Sequence, residues 1–209
     1  MTSAYWSGMW EDEMKVSRYA APTLEPITVE ELKLHLKIEL DVLDEDEYLE
    51  TLITTVREMV EDITRRTILT QTWDYYLDEW PSSDFIELPF GNLQSVSSVK
   101  YKDTDGTETT LTLTTDYLVE TNGEWFGMVV LPYGVSWPSG SLYPSNPITI
   151  RFVCGWTTQA LVPSRIKAAV KMICADVYEH RGDRITGMNV TENEFYQSLL
   201  ASLRLWGNF

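Results

Sequence analysis

The side chains through which this chain could hold a metal or move a proton are few. They are His35, His180, Cys154, Cys174 and an unbroken run of carboxylates, Asp44-Glu45-Asp46-Glu47. The two histidines lie far apart, each at the edge of an apolar helical stripe, and neither has a cysteine or histidine at metal-ligand spacing. They read as structural or surface residues. The cysteines share no motif spacing, and Cys174 falls on the apolar side of a helical pattern, so both are expected as free, buried thiols in a reducing compartment. The carboxylate run lacks the alternating ligands and central glycine of a calcium loop, and suits instead the positive end of a helix dipole. There is no G-x-S-x-G elbow, no P-loop and no G-x-G-x-x-G. Trp73, Tyr75, Tyr76 and Trp80 offer a stacking face for sugars or bases, but the same residues suit the core of a β-sandwich. Nothing sets a nucleophile beside a base. The expectation is a non-enzymatic protein with no catalytic, metal-ligating or cofactor-binding residue and no cofactor.

Two helices are the frame that any site would sit on. Over 163–181, Ile166, Ala169, Val170, Ile173, Val177 and Tyr178 recur at spacings of three and four, with Pro163 suited to the first turn and Gly182 to the C-cap. Over 44–66, Leu49, Leu52, Ile53, Val56, Val60 and Ile63 form a matching stripe, with the four carboxylates in its first turn and Arg65 and Arg66 closing it. These two helices are expected to pack on one another. A short helix precedes them, with Thr28 as N-cap, Glu31 completing a capping box, and Val29, Leu32 and Leu36 on its apolar side.

Between the long helices the period shifts to that of strands. Seven are predicted, at 70–80, 85–88, 96–101, 107–113, 116–120, 128–131 and 148–153. In the first, Trp73, Tyr75 and Leu77 face one way and Asp74 and Tyr76 the other. Asp103-Thr104-Asp105-Gly106 is a hairpin turn, and 132–147, with its four prolines, a loop. The fold class is therefore α+β: a small helical bundle carrying an inserted antiparallel β-sandwich or barrel-like subdomain. The expected boundaries are an irregular arm at 1–24, the bundle at 25–68 and 162–184, the β insert at 69–161, and a C-terminal helix and tail at 185–209. That last helix places Phe195, Leu199, Leu203 and Trp206 on one stripe, and the chain ends on Phe209.

With 209 residues, 44% hydrophobic and 12% aromatic, the composition is globular. The net charge is −16, and residues 1–62 hold 16 of the 32 acidic side chains but only 5 of the 16 basic ones. Such a surface disfavours gripping nucleic acid, which requires cations to displace counterions. It suits solubility, or a passage through which DNA slides without sticking. No run approaches a membrane span, and the N-terminus lacks a signal-peptide pattern.

Taken in order, EPITVEELKLHLKI from Glu25, the acidic helix start running on through RRTILTQTWDYYLDEWP, IELPFGNLQSVSSVKYKD, and VPSRIKAAVKMICADVYEHRGD resemble the head–tail connector (adaptor) proteins of long-tailed phages and gene transfer agents. The resemblance covers roughly residues 20–184. Its most specific parts are the helix exit leading to Gln71-Thr72-Trp73, the Leu88-Pro89-Phe90-Gly91 turn, and the proline-led helix ending in Tyr178-Glu179-His180-Arg181.

The resemblance implies a ring of about twelve copies in the neck of a virion, between the portal and a tail-side stopper or tail protein. Double-stranded DNA would pass through its channel without specific binding, and assembly would take place in the host cytoplasm with no membrane contact. On that reading, Phe195, Leu199, Leu203, Trp206 and Phe209 are portal-binding candidates. Tyr5, Trp6 and Trp10 are subunit-interface candidates, and Asp44, Glu45, Asp46 and Glu47 are candidates to line the channel. The alternatives are another neck or tail ring, such as a stopper or terminator, and a non-catalytic carbohydrate-binding β protein of the virion.

Overall fold

The computed structural model describes residues 15–180 and 194–206. They fall into two compact units, one built around residues 21–71 and 154–205 and the other around residues 72–153 with the N-terminal strand.

The first unit is a helical bundle. Thr28 caps α1 (Val29–Leu36), its hydroxyl accepting from the Glu31 N–H at 3.1 Å. Only that half of the expected capping box is seen, and the Glu31 carboxylate lies 3.4 Å from the Lys171 ammonium instead. The long acidic-led helix α2 (Asp46–Thr64) buries Leu49, Leu52, Ile53, Val56 and Val60 as its stripe requires. The proline-led helix α3 (Ser164–Glu179) buries Ile166, Ala169, Val170, Ile173 and Cys174. Pro163 sits one residue earlier than expected, as the N-cap, and its carbonyl accepts from Ile166 and Lys167. Near the end of α3, the Tyr178 hydroxyl donates to Glu45, just before α2, so the two helices run antiparallel. They pack on one another, and a single core joins them to Ile27, Leu32, Ile68, Leu69, Trp156 and Val162.

The last helix, α4 (Glu194–Ala201), belongs to the same bundle and packs on α3 and α2. Sequence periodicity assigned it a stripe of Phe195, Leu199, Leu203 and Trp206 with no partner in the chain, and the structure corrects this. Leu200 and Leu205 are the buried residues, and Tyr196 and Leu203 pack against the bundle core. The phase is set by a core already in place, which takes the side chains one position along.

Among its described residues the second unit holds eight strands, β1 (Val16–Ala20), β2 (Gln71–Leu77), β3 (Phe85–Glu87), β4 (Leu93–Lys102), β5 (Glu108–Leu111), β6 (Leu118–Glu120), β7 (Met128–Val130) and β8 (Ile148–Cys154). They form a five-stranded sheet in the order β1-β2-β8-β4-β5 and a three-stranded sheet in the order β3-β7-β6. The strand predicted from each of the seven segments is present. The eighth, β1, is the correction to the irregular arm. It is an edge strand, paired antiparallel with β2 from Val16↔Tyr75 to Ala20↔Thr72 through a register shift. Its exposed residues show no apolar alternation, so the pattern used to find strands cannot see it. β8 shows that pattern in full, with Ile148, Ile150, Phe152 and Cys154 buried in alternation.

The turns follow local chemistry. Between β4 and β5 the Asp103 carboxylate accepts from the Asp105 and Thr107 N–H groups at 3.0 and 2.9 Å, and Gly106 adopts φ +82°. After β3, Phe90, Gly91 and Asn92 all have positive φ, an uncommon run for which the Phe90 ring packs on Trp73 at 4.6 Å.

Candidate interaction surfaces

The four carboxylates that open α2 do not act as one set. Lys33 lies on the inner side of α1, only 2% exposed, its ammonium donating to the Val42 carbonyl at 2.7 Å and pairing with Asp46. Glu45 accepts from Tyr178, whose ring also lies 6.3 Å from that of Tyr48. Asp46 and Glu45 are therefore half-buried struts of the bundle. Asp44 and Glu47 are exposed. The Lys33 strut also ties down the connection from α1 to α2, which presents Leu40, Val42 and Leu43 to solvent at 49%, 41% and 67% exposure. We expect Tyr178→Phe, which keeps the ring and loses the bond to Glu45, to lower stability by about 1 kcal/mol in urea unfolding. An unchanged midpoint would mean that the bond contributes nothing.

The opposite end of the bundle gathers cations. Arg65 closes α2 in a left-handed conformation at φ +55°. Arg165, in the first turn of α3, donates to the Ser202 hydroxyl at 2.8 Å, and Arg66 donates to the Leu203 carbonyl. Burial, followed by the nearby Arg204 cation, holds the Arg65 guanidinium below its ordinary pKa.

Inside the bundle lies a polar network that the sequence did not announce. Arg57, 2% exposed, donates to Glu25 at 2.9 Å and to Glu61 at 2.7 Å, and approaches Glu58 at 3.6 Å. Glu61 in turn accepts from the Ile68 N–H at 2.8 Å and the Gln71 amide at 2.7 Å. Burial pushes the Glu61 carboxyl above its ordinary value, although the Ile68 N–H and Arg57 oppose the shift. The available signal was positional. Arg57 lies on the Ile53, Val60 and Thr64 side of α2, and Lys33 four residues after Val29, places where a helix with a single buried face would carry apolar residues.

In the β unit, β2 departs from the expected alternation because Asp74 is buried. It takes a two-pronged bond from Arg151 on β8, at 2.7 and 2.8 Å, and the guanidinium lies 3.5 Å from the centroid of the Tyr19 ring on β1. The pair holds Arg151 well above its ordinary pKa. Of the aromatic residues weighed as a stacking face, Trp73 packs on Phe90 and Tyr75 is buried. Trp80 stacks on Trp137 at 4.9 Å with planes 5° apart. Trp73 and Trp80 are thus occupied by Phe90 and Trp137, and the Tyr76 hydroxyl shares a hydrogen bond with Ser17 at 3.1 Å.

The remaining predicted site residues divide cleanly. Phe195 and Trp206 are exposed at 59% and 74%, while Leu199 and Leu203 are half-buried in the bundle. Tyr5, Trp6, Trp10 and Phe209 lie outside the described residues, as does the expected C-cap Gly182. Both cysteines are free and buried, and burial pushes each thiol up to about 12. His35 and His180 are exposed, and among the described residues no histidine, cysteine and carboxylate cluster could hold a metal ion. Among the same residues, no helix is long and apolar enough to cross a membrane.

The comparisons with known proteins agree with the resemblance read from the sequence. Residues 26–122 match the family described as Phage gp6-like head-tail connector protein. No curated protein matches the chain. Among solved structures, the fold is that of a chain in the neck of an empty gene transfer agent particle computed with C6 symmetry. That likeness has a TM-score of 0.77 and 19% identity, and covers 94% of this chain and 98% of that one. A chain of the native gene transfer agent virion gives 0.72 at 19% identity, and one in the neck of the native particle computed with C12 symmetry gives 0.71 at 20% identity. Both cover the same shares of each chain.

Proposed function

We propose that this protein is a structural ring component of a phage-like neck, a head–tail connector that joins the portal to the tail-side neck proteins. The observation that carries the reading is the likeness to a chain of a gene transfer agent neck along 94% of this chain and 98% of that one. The connector family found over residues 26–122 favours this ring over a stopper or terminator. The packing of Trp73 on Phe90 and of Trp80 on Trp137 occupies ring faces that a carbohydrate-binding protein would need for stacking.

In this role the protein works without catalysis or cofactor. Copies close into a ring, of which the C12 symmetry of the similar neck is an example, and double-stranded DNA crosses its channel. A chain of net charge −16 offers phosphates few cations to bind, so DNA slides rather than sticks. Of the portal-binding candidates, Phe195 and Trp206 are the ones whose exposure suits insertion into a partner.

The test is co-assembly of purified protein with its portal, read by native mass spectrometry. We expect a discrete ring on the portal, and at least a tenfold loss of portal affinity in the double variant Phe195→Ala with Trp206→Ala, with its fold retained. Particles lacking the protein should accumulate heads without tails. Normally tailed particles would overturn the connector role.

A further inference from the structure

One sign of charge predominates at each end of the helical bundle, and α3 carries its charges in the sense opposed to its own dipole. In α1, Glu30 and Glu31 occupy the first turn and Lys33 and His35 the last, as the dipole favours. α2 likewise begins on Asp46 and Glu47, although its last turn holds Glu61 and Asp62 and no basic residue before the Arg65 cap. In α3 the order is reversed. Arg165 and Lys167 stand in the first turn, which holds no acidic residue, and Asp176 and Glu179 stand in the last, which holds no basic one. Helix stability does not explain this placement.

Because α2 and α3 are antiparallel, the acidic end of α3 adds to the acidic start of α2 instead of cancelling it. One end of the bundle carries Asp44, Glu47, Asp176 and Glu179, all exposed, beside the exposed Leu40 and Leu43. The other end carries Arg65, Arg165, Lys167 and Arg204 against the exposed Asp62, beside Leu161 at 59% exposure. Acidic groups thus outnumber basic ones at the first end, despite Lys37 and the His180 ring 3.4 Å from Asp176, and basic groups outnumber Asp62 at the second.

We infer that these ends are the two halves of a junction between copies of this chain, the acidic end of one bundle docking on the basic end of the next. The inference rests on the ring reading above and specifies its contact. A junction of two different patches on the same chain is the kind that repeats head to tail and closes into a ring. Opposed charges orient the approach and exclude the reversed pairing, while the exposed leucines supply apolar area at the centre. Asp44 and Glu47 are thereby assigned to the protomer junction and not to the channel wall.

The experiment uses two charge-reversed full-length proteins, Asp44→Lys with Glu47→Lys and Glu179→Lys, and Arg65→Glu with Arg165→Glu and Lys167→Glu. Oligomer formation is followed at low salt by sedimentation and native mass spectrometry, with and without portal. Each variant alone should associate at least tenfold more weakly than the unmodified protein, since like charges then meet at every junction. Mixed in equal amounts they should assemble again, because every junction in an alternating ring is once more between opposite charges. Variants that assemble alone as well as the unmodified protein, or a mixture that stays dispersed, would overturn the junction while leaving the ring intact. An unmodified protein that forms no oligomer, even with portal, would overturn the ring reading itself.

Should a reversed variant fail to fold, the neutral pair Lys167→Gln with Glu179→Gln serves instead. It removes two charges opposed to the α3 dipole, so its thermal midpoint should hold or rise while its assembly weakens. A lowered midpoint with unchanged assembly would show that these charges are held within the chain, and would count against the junction.

Discussion

Replacing Arg57 by alanine is expected to destabilise the helical unit by about 3–5 kcal/mol, because the change leaves buried charge without its counterion. Arg57 is only 2% exposed and joins Glu25 on one side to Glu61 on the other, so it binds the segment before α1 to the C-terminal half of α2. Removing it strands Glu61, whose remaining partners are the neutral Ile68 N–H and the Gln71 amide. Thr54 would still donate to Glu25, but a hydroxyl cannot replace a guanidinium.

The loss should depend on pH, with a definite sign. Burial already raises the Glu61 carboxyl above its ordinary 4.5, so the folded protein binds this proton more tightly than the unfolded chain. Stability from this group is fully present below about 4.5 and falls as pH rises through the folded value. Without Arg57 that folded value moves higher still, so the variant should recover part of its deficit on acidification. Urea unfolding at pH 7 and pH 5 gives the comparison. A deficit under 1 kcal/mol at pH 7, or one that grows at pH 5, would show that Glu61 does not sense Arg57 as the geometry requires.

Alanine at Gly155 should cost about 2–4 kcal/mol, through backbone displacement and not through lost contacts. Gly155 has φ +101°, and a Cβ there would lie 2.3 Å from the Leu69 carbonyl oxygen and 2.5 Å from its carbon. Neither atom can rotate away, since both belong to the main chain beside the Leu69–Trp156 bridge. The neighbouring bond from the Trp156 N–H to the Ile68 carbonyl, 3.1 Å long, would be strained by any shift. Gly123 is the control. Its φ of +60° is also left-handed, but a Cβ there meets nothing within 4 Å, so alanine should cost only about 1–2 kcal/mol. Thermal unfolding of both variants decides the matter, and a Gly155→Ala protein no less stable than Gly123→Ala would remove the close approach as the cause.

What the sequence determined by itself is whatever depends on neighbours within a turn or two. The stripes of α2 and α3, the Thr28 cap, the Asp103 to Gly106 turn and the alternation of β8 are encoded by spacing over a few residues, and they lie where spacing put them except at the end of the α3 stripe, where Val177 is exposed. The resemblance to head–tail connectors rests on the order of such pieces, and that order too is legible along the chain.

The tertiary structure alone decided which polar groups are inside and which apolar ones outside. Arg57 and Lys33 are buried because carboxylates distant in sequence come to meet them, Glu25 in the first case and Asp46 in the second. Asp74 is buried because Arg151, 77 residues away, reaches it across the sheet. The phase of α4 followed from a bundle core that could accept Leu200 and Leu205, and β1 from the open edge of β2. The sorting of charge between the ends of the bundle has the same origin. The acidic start of α2 and the acidic end of α3 lie far apart along the chain, and only the antiparallel return of α3 on α2 brings them to one end. A local pattern records what a residue prefers, whereas a buried charge or a docking face depends on which distant partner the fold delivers to it.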